Sequence, residues 1–252
     1  MQKYSFSKLA SFLQCPRKFY WIYEKGLLPP KNPEALEKGG WFAEGIAGLP
    51  GDTLWHKIGR KAGSFWTHNP AAYEVEGEKQ ATPNLLLTGK CDGIDGDTVW
   101  EYKFTSSDRN STIKSYMISP QLQQYGFVFG AKRVILRIIK KSQLRQGKKE
   151  SEFDFEARVL AEYDSPDCYF EVEVPITRPS YENFLRDILT TISFINACKD
   201  SDSWPMVAPN CTFYHQACPY LDLCADYETY CQIYRRKEDA IANGSQQPQP
   251  KA

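Results

Sequence analysis

Residues 89–103 read GKCDGIDGDTVWEYK, two short extended runs joined by a turn rich in Asp and Gly. Val99, Glu101 and Lys103 alternate with Trp100, Tyr102 and Phe104, the two-residue period of a strand with one polar and one aromatic face. Glu101 and Lys103 therefore point the same way. The place of Asp92 depends on the turn. With Asp95-Gly96 as a two-residue loop it lies opposite Val99 and diagonal to Glu101; with Gly96-Asp97 it lies directly opposite Glu101. A three-residue loop would send it to the other face. Two carboxylates beside an ammonium, with the Tyr102 carbonyl between them, form a set of hard oxygen donors suited to Mg²⁺ or Mn²⁺. That chemistry points to metal-assisted hydrolysis.

Outward from this hairpin, Tyr73–Glu78 and Leu85–Lys90 read as strands leading into it, and Thr105–Ser111 as a polar loop leaving it. Ser119-Pro120 opens a helix, with Ser at the cap and Pro at the first helical position, and Gln121 and Tyr125 share one of its faces. Val134–Ile139 and Cys168–Ile176 read as further strands, and Pro179–Cys198 as a long amphipathic helix. Upstream, helices are expected from Ser5 or Ser7 to Cys15, where Pro16 interrupts, over Pro33–Ala47, and within Asp52–His68. His56 and His68 show no ligand spacing and are expected to be structural or exposed; Glu44 reads first as a solvated helix residue. Residues 241–252 are polar with Gly and Pro, as in a disordered tail.

The 252 residues suffice for a sizeable core, and the formal net charge is zero, so nucleic-acid binding rests on how charge is distributed. From Lys132 to Lys149 the chain carries Lys132, Arg133, Arg137, Lys140, Lys141, Arg145, Lys148 and Lys149 with no acidic residue between them. Such a run favours a polyanion partner, though a solvated surface is its commoner fate. No apolar run is long enough to span a bilayer, and the first residues lack an uninterrupted apolar segment, so a cytoplasmic location with no membrane contact is expected.

Eight cysteines in that compartment are poorly explained as disulfides. Cys211, Cys218 and Cys224 fall in one short Pro-containing segment; three thiolates need a fourth ligand, for which Cys15 in its Cys-Pro context is the candidate. Four thiolates suit a [4Fe-4S] cluster or Zn²⁺, and His215 could replace one thiolate in a zinc site. Cys91, Cys168, Cys198 and Cys231 are assigned to packing.

Asp92, then Glu101-Tyr102-Lys103, then Gln121-Leu122-Gln123-Gln124-Tyr125 resembles the motif series of the PD-(D/E)XK nucleases, in the RecB-type branch. The opening SFSKLASFLQCPRKFYWIY and the three-cysteine segment resemble its iron-sulfur members, which include the CRISPR-associated spacer-acquisition exonucleases and the AddB nuclease domain. In length and layout the chain resembles small stand-alone phage or prophage exonucleases.

The resemblance implies an α/β fold: a restriction-endonuclease-like core with a central mixed β-sheet flanked by helices, and a helical iron-sulfur-bound lobe formed by the N- and C-terminal segments, as one domain over residues 1–240. It implies a Mg²⁺- or Mn²⁺-dependent DNA exonuclease in phage or prophage recombination or DNA processing, in the host cytoplasm if phage-encoded, with a recombinase or single-strand-annealing protein as a further partner. Asp92, Glu101 and the Tyr102 carbonyl would bind metal, Lys103 would orient the attacking water, and Gln121 and Tyr125 would fix Lys103 or a substrate phosphate. Lys132, Arg133, Arg137, Lys140, Lys141 and Arg145 would track DNA. The family's usual upstream histidine corresponds to Glu44, at the end of Gly40-Trp41-Phe42-Ala43-Glu44, which would then join the metal ligands. A catalytically silent DNA-end-binding module with the same fold is the alternative; an electron-transfer protein is the weaker third.

Overall fold

The chain is described by a computed structural model covering residues 1–30, 34–213 and 216–237. It divides into two compact units, one of residues 1–4 and 33–185, the other of residues 5–32 and 186–252. The tail expected at 241–252 lies outside the described residues.

The first unit is a mixed six-stranded sheet flanked by helices. Strands Ala72–Thr82, Leu85–Asp95 and Thr98–Thr105 form an antiparallel meander; Arg133–Lys140 runs parallel to Thr98–Thr105, and Tyr169–Pro175 returns antiparallel to it. A parallel pair needs a crossover connection. Helices Arg109–Met117 and Pro120–Phe129 supply it, the first of them starting inside the stretch expected to be a polar loop. Gly130, in the left-handed region at φ +71°, ends the second helix and turns the chain into the parallel strand.

Each face of the sheet carries its own core. Trp100 and Tyr102 pack with Phe42 and Ile46 of helix Glu34–Ile46, Ile58 and Ala62 of helix Leu54–Phe65, and Val159 of helix Glu152–Glu162. On the opposite face Cys91, Val99, Val134, Leu136 and Ile138 pack against Leu122 and Tyr125 of helix Pro120–Phe129. Arg133–Lys140 is thus covered on both sides, which is why its sequence is a nearly continuous apolar run rather than an alternating one. Helices Glu34–Ile46 and Leu54–Phe65 cross closely, because a side chain on Gly59 would sit 2.3 Å from the Phe42 carbonyl and one on Gly45 2.3 Å from that of His56.

In the second unit Ser5 caps helix Phe6–Gln14 by accepting from the Lys8 N–H, Cys15 ends it, and Pro16 starts the short helix Pro16–Phe19. A π-helical turn, Tyr20–Glu24, carries Trp21 into a core with Leu27, Tyr220, Leu223 and Tyr234. Strand Leu27–Leu28 pairs with Arg235–Arg236.

Candidate active site

The hairpin register selects between the turns left open above. Asp95 pairs with Thr98, Ile94 with Val99 and Gly93 with Trp100, so the loop is Gly96-Asp97, with Gly96 in the left-handed region at φ +57°. Continued one step, this register sets Asp92 across from Glu101. Backbone pairing ends at Gly93 and Trp100; beyond it the Tyr102 N–H donates instead to Asp92 Oδ2 at 2.7 Å. The carboxylate stands where the two strands part.

Glu101 is 1% exposed. Burying a carboxylate requires that its lone pairs be met by strong donors. Lys103 Nζ stands 2.6 Å from Oε1, Gln121 Nε2 donates to Oε1 at 3.2 Å, and the Tyr125 hydroxyl donates to Oε2 at 2.8 Å while accepting from Gln121 Nε2 at 2.8 Å. The four-residue spacing of Gln121 and Tyr125 on helix Pro120–Phe129 delivers both to this one acceptor. The resemblance implied that they fix Lys103 or a substrate phosphate; here their bonds go to Glu101, because the ammonium has no lone pair to accept from the Gln121 amide or the Tyr125 hydroxyl and the carboxylate has.

Charge in the site is unbalanced. Burial, and then the neighbouring Glu101, push the Asp92 carboxyl up to about 7, against the opposing effects of the Tyr102 N–H and Lys103. Burial pulls the Lys103 ammonium down, but Glu101 and Tyr116 outweigh it and the net shift is upward. Lys103 is thus a cation at neutral pH, able to orient water and offset negative charge but not to act as a base. Burial also raises the Tyr125 phenol, followed by Glu101, so it remains a neutral donor.

Asp92 and Lys103 open on a cavity of about 420 Å³, shared with Gly39 and Ala43 of helix Glu34–Ile46, with Glu74 and with Phe104. Glu44 is not on it. A helix turns about 100° per residue, and one residue beyond Ala43 the Glu44 carboxylate is 2.9 Å from Nε2 of His56, which is 5% exposed and has its Nδ1 2.7 Å from Thr53 Oγ1. His56 is thus structural, as expected, and Glu44 is engaged with it rather than with Asp92 and Glu101. The acid on the cavity that sequence reasoning missed is Glu74. Nothing in the alternation of Glu74, Glu76 and Glu78 singled it out.

The basic run divides. Arg137, expected to face DNA, is 1% exposed: Nε donates to Glu171 at 2.7 Å, Nη1 to Asn69 Oδ1 and the Tyr102 hydroxyl at 2.9 Å each, and Nη2 to the His68 carbonyl, while the guanidinium lies over the Trp66 ring. Its place on a strand covered on both faces puts it inside the fold, behind Tyr102, and it leaves the DNA-facing set. Lys132 is paired with Asp97 at 3.0 Å, and Arg133 with Glu173 at 3.5 Å and with Thr98 Oγ1. Lys140 and Arg145 are exposed; Lys141 lies near the Trp55 ring.

Within the second unit, Cys15, Cys211, Cys218 and Cys224 line one cavity of about 160 Å³ with Gln14, Asn210 and Met206. The Cys218 N–H donates to the Cys211 carbonyl at 2.7 Å, and the Trp21 indole N–H to Cys224 Sγ at 3.3 Å. Burial raises the Cys224 thiol, partly offset by Trp21 and Arg17. His215 lies outside the described residues. Among the described residues no three His, Cys, Asp or Glu side chains stand close enough to hold one metal ion, and all eight cysteines are free thiols. Cys91 and Cys168 are buried in packing.

No known family model and no curated protein matches the chain. Solved structures similar to it include SSO0001, at 18% identity and a TM-score of 0.43 over 77% of this chain and 76% of that one, and a phage-related exonuclease from Haemophilus somnus 129PT, at 13% identity and a TM-score of 0.46 over 80% of this chain and 97% of that one. No helix among the described residues is long and apolar enough to cross a membrane.

Proposed function

We propose that the chain is a metal-dependent deoxyribonuclease of the RecB-type PD-(D/E)XK branch, acting on DNA ends in phage or prophage recombination or DNA processing. The observation that carries this reading is the buried Glu101, held by Lys103, Gln121 and Tyr125 beside an Asp92 that burial leaves short of positive charge. Such a donor set fits a hard divalent cation.

Asp92 and Glu101 would hold the ion together with the Tyr102 carbonyl. A bound Mg²⁺ or Mn²⁺ supplies a Lewis acid for a phosphate oxygen and lowers the pKa of a water. Lys103 orients that water and offsets charge growing on the phosphorus oxygens. Gln121 and Tyr125 fix the Glu101 carboxylate, so that its approach to the ion is set by a rigid helix. Lys140, Lys141 and Arg145 offer cations for the DNA backbone, and salt would weaken that contact.

The four cysteines around one cavity support a [4Fe-4S] cluster in the second unit. A single Zn²⁺ on the same four thiolates is the minority reading. A second reading, a catalytically silent DNA-end-binding module, is favoured by one observation: Glu44 is turned to His56.

Labelled single- and double-stranded DNA, with free or blocked ends, incubated with Mg²⁺ or Mn²⁺ separates the two. Cleavage by wild type that is lost in Asp92→Ala and Lys103→Ala is expected. Equal activity in all three proteins would overturn the assignment, and binding without cleavage under either ion would select the silent module.

A further inference from the structure

We infer that the cavity beside Asp92 and Lys103 receives the base of the nucleotide adjoining the scissile phosphate, so that the DNA taken is unpaired at that position. The inference rests on the nuclease reading above.

Lys103 and Phe104 are consecutive on one strand, and alternation sends them to opposite faces of the sheet. Both nevertheless line the same cavity. It reaches both faces where strands Leu85–Asp95 and Thr98–Thr105 part, beyond the last pair of Gly93 and Trp100. One wall therefore carries Asp92 and Lys103, and another the aromatic side of the strand, Tyr102 and Phe104. Helix Glu34–Ile46 completes the apolar wall: Leu36, Gly39, Ala43 and Ile46 fall at helical spacing on one of its faces, and all four line the cavity. Leu36, 67% exposed, stands at the mouth. Phe42 and Phe104, stacked with centroids 4.6 Å apart, hold that wall in shape.

A nucleotide has the same two-sided character, an anionic phosphate joined to a base with flat apolar faces. The volume of about 420 Å³ lies within the range of roughly 300–1,000 Å³ usual for sites that enclose a small organic group. A phosphate set at Lys103 brings its own base to the apolar wall, because the two are covalently joined. Glu74, the other acid on the cavity, is neutralised by Lys90 at 2.5 Å. A base inside a duplex presents only its edges, in the grooves, so its face meets this wall only after it leaves the stack. The wall does not read which base enters. Its polar side-chain atoms are two tyrosine hydroxyls, and that of Tyr102 accepts from Arg137 at 2.9 Å and is hydrogen-bonded to that of Tyr73. Contact with base faces is tolerant of sequence.

Gly39 offers a variant that fills the cavity without straining the fold. A Cβ there would meet no atom within 4 Å, and leucine is a better helix former than glycine. Gly39→Leu is expected to melt at or above wild type and to take up Mn²⁺ as wild type does. Single strands with intact ends or with abasic residues at both ends are cleaved in Mn²⁺. Wild type should cut the linkage beside an abasic residue with a kcat/KM at least about tenfold below that of the intact linkage, and should accept all four bases about equally. Gly39→Leu should cut intact ends about tenfold more slowly than wild type, and abasic ends no more slowly. In EDTA, where nothing is cut, fluorescence polarisation should show wild type binding intact ends more tightly than abasic ones, and Gly39→Leu binding both alike. Equal handling of intact and abasic ends by wild type, or wild-type rates on intact ends in Gly39→Leu, would overturn the base pocket. Absence of cleavage under either ion, with base-dependent binding kept, would overturn the nuclease reading and leave the pocket standing.

Discussion

The charge imbalance at Asp92 makes a prediction about stability that needs no substrate. In the folded, metal-free protein the Asp92 carboxyl is pushed up to about 7, whereas in the unfolded chain an aspartate titrates near 3.9. An acid whose folded value is raised binds its proton more tightly in the folded state. Its contribution to stability is therefore fully present below about pH 4 and is lost as pH rises through about 7. At about 1.4 kcal/mol per unit, the fall from pH 7 to pH 5 is worth roughly 3 kcal/mol to the folded wild type. Asparagine cannot titrate, yet it keeps an oxygen for the Tyr102 N–H. In EDTA, then, Asp92→Asn should be more stable than wild type at pH 8, and that advantage should shrink by about 3 kcal/mol at pH 5. The difference between the two proteins cancels the titrating groups that do not interact with Asp92. Urea unfolding followed by tryptophan fluorescence at both pH values measures it. A stability difference that is the same at pH 8 and pH 5 would refute the reasoning, because Asp92 would then carry no shifted proton. Saturating Mn²⁺ at pH 8 should stabilise the wild type and leave Asp92→Asn nearly unmoved.

Removing the Tyr125 hydroxyl with Tyr125→Phe leaves Glu101 short of one buried donor; a loss of about 1–3 kcal/mol is expected in urea unfolding, with lower nuclease activity. Lys140→Ala and Lys141→Ala should each reduce the slope of log affinity for DNA against log salt by about 1 without destabilising the fold. Arg137→Ala, by contrast, should cost about 1–3 kcal/mol, because it leaves the Tyr102 hydroxyl and Asn69 without their partner, while the exposed Glu171 is solvated by water. Anaerobically purified wild type should absorb in the visible as an iron-sulfur protein, and Cys218→Ala should lose iron; a colourless wild type with stoichiometric zinc would reverse the choice of cofactor.

Much of the first unit was legible because its signals are local. The alternation around Glu101 gave the strand and its faces, Ser119-Pro120 gave the start of the supporting helix, and the apolar run of Val134–Ile139 gave a strand. Helix Arg109–Met117 was missed: its residues have almost no apolar face, and what specifies it is the Asp108 cap, accepting from the Ser111 N–H, and the need to cross over to a parallel strand. The resemblance implied a lobe made of the N- and C-terminal segments, and the second unit joins residues 5–32 to 186–252; no local pattern signals it, since it depends on which distant segments pack together. The close spacing of Cys211, Cys218 and Cys224 and the Cys-Pro context of Cys15 grouped these four residues without any periodicity, and in the structure they line one cavity.

The site itself was legible where chemistry and register coincide, and misleading where a residue's role depends on rotation about an element. Eight positive charges in a row look alike in sequence. Strand alternation nevertheless sends Arg137 to the face of Tyr102, where it becomes an internal support for the hairpin. Glu44 is turned by the same kind of geometry on a helix: one residue is about 100° of rotation, and its carboxylate pairs with His56. Glu74 is the converse, because ordinary alternation gives it nothing that Glu76 and Glu78 lack. Its positive φ and its place on the cavity wall, neither visible in sequence, set it apart.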